Sequence, residues 1–133
     1  DIQTDFSSNS TVFEAHLLVT DWSGIAYEYA FTTKKPVLFV DTPMKVMNPE
    51  YQKIDTIPIN IWMRDVIGDR LDPAKTEETE SKVRNLLEQK DAYHDKIEKI
   101  VEEYVYNLGN SAEVGAKYIV QAVQEQIKKA KEQ

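Results

Sequence analysis

The chain has 133 residues and a formal net charge of −7, with 41% hydrophobic and 29% charged residues, the balance of one globular domain. Such an acidic balance excludes a broad nucleic-acid-coating surface, which needs clustered Lys and Arg to displace counterions. The absence of cysteine excludes disulfides, thiolate metal sites and cysteine nucleophiles together, and fits a reducing cytoplasm.

In chain order, Ile2, Thr4 and Phe6 alternate as a strand does, and residues 10–15 form a short helix or turn. The opening at Asp1, straight into that alternating pattern, reads as a piece cut from a longer protein, with 1–133 as a single domain. Residues 16–21 (His-Leu-Leu-Val-Thr-Asp) and 36–41 (Pro-Val-Leu-Phe-Val-Asp) are apolar runs closed by Asp, and predict strands buried on both faces of a parallel sheet. Between them, residues 23–33 carry Ile25, Ala26, Tyr29, Ala30 and Phe31 at helical spacing, with Asp21 or Ser23 available as the N-cap. Pro43, Pro49 and Pro58 then break up a long irregular connection over residues 42–58.

Residues 64–73 are short and punctuated, and strand–helix alternation is expected to stop at about Pro58. Helices follow: 76–89 with Val83, Leu86 and Leu87 on one side, and 91–107 with a stripe of Ile97, Ile100, Val101, Tyr104, Val105 and Leu108. Gly109 is placed to end the second of these in a left-handed conformation, and Ser111 to cap a last helix carrying Val114, Tyr118, Ile119, Ala122, Val123 and Ile127. The fold class is α/β: a Rossmann-like parallel sheet with flanking helices and a helical C-terminal tail. The longest uninterrupted apolar run, residues 37–40, cannot span a bilayer.

Chemistry concentrates at residues 20–26 (Thr-Asp-Trp-Ser-Gly-Ile-Ala), where a strand gives way to a helix. Ligands collect at the carboxyl ends of parallel strands, and the free amides of a helix N-terminus attract phosphate. Ser23 adds a hydroxyl, and Gly24 lets a diphosphate approach the backbone. The same residues serve equally well as an ordinary helix cap with a glycine that relieves crowding. Neither a GxxxxGK[ST] nor a GxGxxG element is present.

Residues 17–31 (Leu-Leu-Val-Thr-Asp-Trp-Ser-Gly-Ile-Ala-Tyr-Glu-Tyr-Ala-Phe), followed by 35–41 (Lys-Pro-Val-Leu-Phe-Val-Asp), resemble the C-terminal signature of the CDP-glycerol glycerophosphotransferase family, the teichoic-acid primases and polymerases. The likeness is close over about the first forty residues and loose over the helical tail. It implies the C-terminal half of a GT-B-like enzyme, in which Asp21, Ser23, Gly24 and Ile25 hold the diphosphate of a CDP-linked polyol donor. Glu28 would lie one turn further in, near ribose or phosphate. Two positions depart from the family pattern: Gly24, often Ser there, and His16, often acidic.

The implied reaction is attack of an acceptor hydroxyl on the donor β-phosphorus with CMP leaving. By the resemblance, the catalytic base is a histidine of the absent domain, so no catalytic residue is assigned in this chain and the fragment alone is expected to be inactive. His16 is read as starting a buried strand, and His94 as one of a group of helix surface charges. The acceptor would be a cell-wall or capsule polymer, or a lipid-linked chain, and the parent a cytoplasmic protein peripheral to the inner face of the bacterial membrane.

Arg64 is a candidate phosphate clamp, set against a surface ion pair with Asp65 or Asp69. Asn48 and Tyr51 could frame a base or ribose, and an ordinary turn explains them equally well. No metal site and no cofactor are predicted, since Asp21, Glu28 and Asp41 lack ligand spacing. Two other readings stand beside this one: a non-catalytic flavodoxin-like or receiver-like module, and an interaction domain using the helical tail.

Overall fold

The computed structural model describes residues 10–44, 46 and 48–131. The expected strand over residues 2–6 lies outside them. Two compact units emerge, residues 1–99 and residues 100–133.

The first unit is a small α/β fold. Helix α1 (Ser10–Glu14) precedes β1 (Leu18–Thr20), α2 (Ile25–Thr33) and β2 (Val37–Val40); α3 (Ile59–Trp62) and α4 (Arg64–Ile67) lead into β3 (Gly68–Leu71), and α5 (Thr79–Glu88) and the start of α6 (Lys90–Tyr104) follow. The sheet has the order β1-β2-β3 and is parallel throughout, with Leu18 level with Val37 and Val37 level with Gly68.

Each strand's character follows from its place in that order. Central β2 is Val-Leu-Phe-Val, and Val37, Leu38 and Phe39 are fully buried, as β-branched and aromatic residues covered on both faces should be. Alternation sends Leu38 and Val40 to one face, where they pack with Leu71 of β3, Leu86 and Val83 of α5, and Tyr93 of α6. Edge strand β1 differs from the expectation of burial on both faces: Val19 is 51% exposed, and Leu18 and Thr20 are only partly buried. His16 likewise stands exposed ahead of β1 and does not begin a buried strand.

Strand β3 overturns the expectation that alternation ends near Pro58. Gly-Asp-Arg-Leu has only one large apolar residue, so periodicity does not reveal it; backbone pairing with β2 and a close approach at Gly68 do. A Cβ added at Gly68 would lie 1.8 Å from the Val37 carbonyl oxygen, so only glycine fits there.

Helix α2 buries Ala26, Tyr29 and Ala30, an i, i+3, i+4 stripe. It ends at Lys34, whose left-handed φ of 59° lets its amide donate to the Ala30 carbonyl. Tyr29 anchors the helix further by donating from its hydroxyl to the Ala15 carbonyl at 2.9 Å.

In the second unit α6 stops at Tyr104. Gly109 does have a positive φ of 85°, but it stands too far on to cap α6, and Asn107 takes the left-handed conformation earlier, at 56°. The amide of Val114 donates to Asn110, opening α7 (Ser111–Lys131), none of whose described side chains is buried. No helix of the described residues is long and apolar enough to cross a membrane.

Candidate functional site

All three strands deliver their carboxyl ends to one edge of the sheet, the edge where parallel α/β folds gather ligands. Two connections meet there. The turn 21–24 leads from β1 into α2, and residues 41–44 leave β2. The Trp22 indole N–H ties them by donating to the Thr42 carbonyl at 2.7 Å.

Beneath the turn lies Arg64, the largest fully buried side chain among the described residues at 1% exposure. Its guanidinium carbon stands 3.7 Å from the centre of the Trp22 ring and 4.9 Å from that of Phe39, so the cation lies over two aromatic faces. Nη2 lies 2.9 Å from Asp41 Oδ1, off the hydrogen-bond direction, and 3.4 Å from the Val40 carbonyl, to which it donates. Asp41 is shared: Arg70 Nε donates to its other oxygen at 2.8 Å, and Arg70 also lies 3.6 Å from Asp65.

Arg64 is therefore a buried ion-pair partner of Asp41, which corrects the expected surface pair with Asp65 or Asp69. Its Nε and Nη1 have no partner among the described residues. Burial lowers its pKa, and the Asp41 carboxylate opposes that shift.

Asp21, Ser23, Gly24 and Ile25 are all exposed at the head of α2. Neither Asp21 nor Ser23 caps the helix: no side chain bonds its first turn, and the amides of Gly24 and Ile25 find no acceptor among the described residues. Gly24 has an ordinary right-handed φ of −61° and ψ of −23°, and nothing lies within 4 Å of where its Cβ would be. The fold thus relieves no crowding and no strain by having glycine there.

The other expected site residues divide between two clefts. Asn48 lies with Tyr51, Asn60 and Met44 around a cleft of about 190 Å³. The Tyr27 hydroxyl donates to the Asn60 carbonyl at 3.0 Å, joining that cleft to α2, and Arg64 is near enough to Tyr27 to influence its ionisation. Glu28 lines a separate cleft of about 270 Å³ with Ile25, Val12 and Phe13, where α1 meets α2. Asn48 and Arg64 therefore lie on the Trp22 side of the turn, and Ile25 shares the α1 cleft with Glu28.

His94 lies on the surface 3.6 Å from Asp95. Among the described residues no three His, Asp or Glu side chains could share a metal ion. Sequence reading missed the Trp22–Arg64–Asp41–Arg70 cluster; the available signal was a Trp and an Asp each placed at a strand end, with two Arg six residues apart in the next strand–helix unit. No family model, curated protein or solved structure matches the chain.

Proposed function

We propose that this chain is the donor-binding domain of a GT-B-like, CDP-polyol phosphotransferase of cell-wall or capsule synthesis, and that the turn 21–25 holds the donor diphosphate. The observation that carries the reading is the head of α2: an uncapped helix N-terminus on the ligand-gathering edge of a parallel sheet, where the Gly24 and Ile25 amides have no acceptor among the described residues.

In this reading the Gly24 and Ile25 amides bind phosphate oxygens and the Ser23 hydroxyl donates to them. Asp21 can only accept, which suits a donor hydroxyl better than a phosphate. Arg64 is committed to Asp41 and covered by Trp22, so it acts as a fixed positive charge below the turn and as the residue that positions Trp22. Asn48, Tyr51 and Asn60 would receive ribose or base. Glu28, on the α1 side, would meet the polyol end of the donor or no ligand. The acceptor and the catalytic base would come from a partner domain.

A flavodoxin-like or receiver-like binding module is the second reading, favoured by the third parallel strand. Against a receiver role, Asp41 is already held by two arginines.

Titrating the full chain with CDP, CDP-glycerol, ADP and flavin mononucleotide while following amide shifts separates the readings. The proposal expects selective shifts at Ser23, Gly24 and Ile25 with the cytidine ligands. Shifts confined to the flavin, or equal for ADP and CDP, would overturn the cytidine assignment; no shift at the turn with any of them would leave it a plain helix start.

A further inference from the structure

Within its own unit, helix α7 carries an apolar face that is exposed among the described residues. Ile119 is 63%, Val123 52% and Ile127 51% exposed, and Ala112, Gly115 and Ala116 extend the same stripe at helical spacing. A stripe this long on a 21-residue helix, roughly 31 Å at 1.5 Å per residue, is a large apolar surface to leave in water.

We propose that α7 pairs antiparallel with α7 of a second copy of this chain, crossing at Gln121. Three features of the helix favour that occupant. In this register Ile127 comes level with Gly115 and Val120 with Ala122, large against small, while Ile119 meets Val123 and Ala112 meets Ala130. Small residues on the face let the two helix axes approach closely.

The charges are also self-complementary end to end. Glu113 is the acidic residue of the first turn, and Lys128, Lys129 and Lys131 crowd the last. An antiparallel pair brings each copy's Glu113, which also pairs with its own Lys117 at 2.6 Å, alongside the other's Lys131 on the same flank, and opposes the two helix dipoles. A parallel pair would set three lysines against three.

The third feature is local charge. Residues 111–131 hold four lysines and two glutamates, a net +2 on a chain of net −7, so the pairing segment is spared most of the repulsion between two acidic copies. An anionic membrane surface would also attract the lysines, but the face lacks the Trp, Phe and Leu that penetrate lipid. The inference is independent of the donor-site reading, since no residue of α7 belongs to that site.

Sedimentation of the full chain from about 5 to about 500 μM tests it, a range that spans weak to moderate helix-pair affinities. A mass rising to twice the 15.3 kDa of one chain is expected. Ile119→Glu and Val123→Glu should keep the helical circular dichroism and abolish the dimer. Glu113→Lys should weaken it at least about fivefold, and adding Lys131→Glu, on the same flank of the helix, should restore it, which only antiparallel pairing predicts. A chain monomeric throughout, a dimer indifferent to these variants, or a monomer captured by anionic vesicles would each overturn the proposal.

Discussion

Arg64 shows how one side chain can be held by chemistry of three kinds. Its charge is met by Asp41, its faces by Trp22 and Phe39, and its volume fills space that the sheet would otherwise leave open. Removing it leaves a cavity and takes one of two cations from Asp41. Arg64→Ala should cost about 3 kcal/mol in urea unfolding, the low end for breaking a buried pair, because Asp41 keeps Arg70 and is partly exposed. Arg64→Met restores volume and apolar contact and should recover part of that loss. Arg64→Lys should recover less, since an ammonium lacks the planar face that lies on Trp22; equal stability for Lys and Arg at this position would show that stacking contributes nothing. Gly24 gives the opposite kind of prediction. With a helical φ and free space around it, Gly24→Ala should stabilise the fold by about 0.5–1 kcal/mol by restricting the unfolded chain. Under the donor-site proposal Gly24→Pro, which fits the φ of −61° but removes one of the two free amides, should weaken CDP-glycerol binding at least about tenfold. Unchanged affinity in that variant would remove the Gly24 amide from the site.

Among elements, β3 is the most instructive, because its length and pairing owe little to its own side chains. It closes the sheet through backbone bonds to β2 and through Gly68, which lies so near Val37 that a side chain cannot enter. Gly68→Ala should therefore cost about 3 kcal/mol or more and loosen the β2–β3 edge first, seen as faster amide exchange at Leu38 and Val40 than elsewhere in the sheet. The sequence makes β2 and α2 legible because each carries an unbroken apolar signal, Val-Leu-Phe-Val in one and the Ala26, Tyr29 and Ala30 stripe in the other. It hides β3 because an edge strand with Asp69 and Arg70 reads as a polar loop. The candidate turn was legible for a related reason: strand, polar residues and helix follow one another without a gap. Arg64's burial was not, since its partner Asp41 stands 23 positions earlier and only the sheet brings them together. The capping roles expected of Asp21 and Ser23 failed because residue type alone does not fix where a side chain bonds.

At the scale of the molecule, acidity and burial set the response to solvent. Tyr27, Tyr29 and Tyr93 have their pKa values raised, chiefly by burial, and each phenol donates to a backbone carbonyl. Folding therefore favours their protonated forms. The stability they contribute is fully present below the unfolded tyrosine value of about 10 and is lost as pH rises through the higher folded values. Alkaline unfolding followed by circular dichroism should begin above about pH 10 together with tyrosinate absorbance, and Tyr29→Phe should make it shallower. Ligand binding should respond to salt in the sense opposite to that of a nucleic-acid binder. A diphosphate approaching a chain of net −7 meets long-range repulsion, while the amides at the turn attract it only at contact. Raising ionic strength shortens the screening length to about 8 Å near physiological salt, which removes the repulsion and spares the contact. The affinity for CDP-glycerol, measured by calorimetry across that range, should rise by about twofold or stay level. A steep fall with salt would mean that lysine and arginine side chains, rather than the backbone of residues 23–25, hold the phosphates.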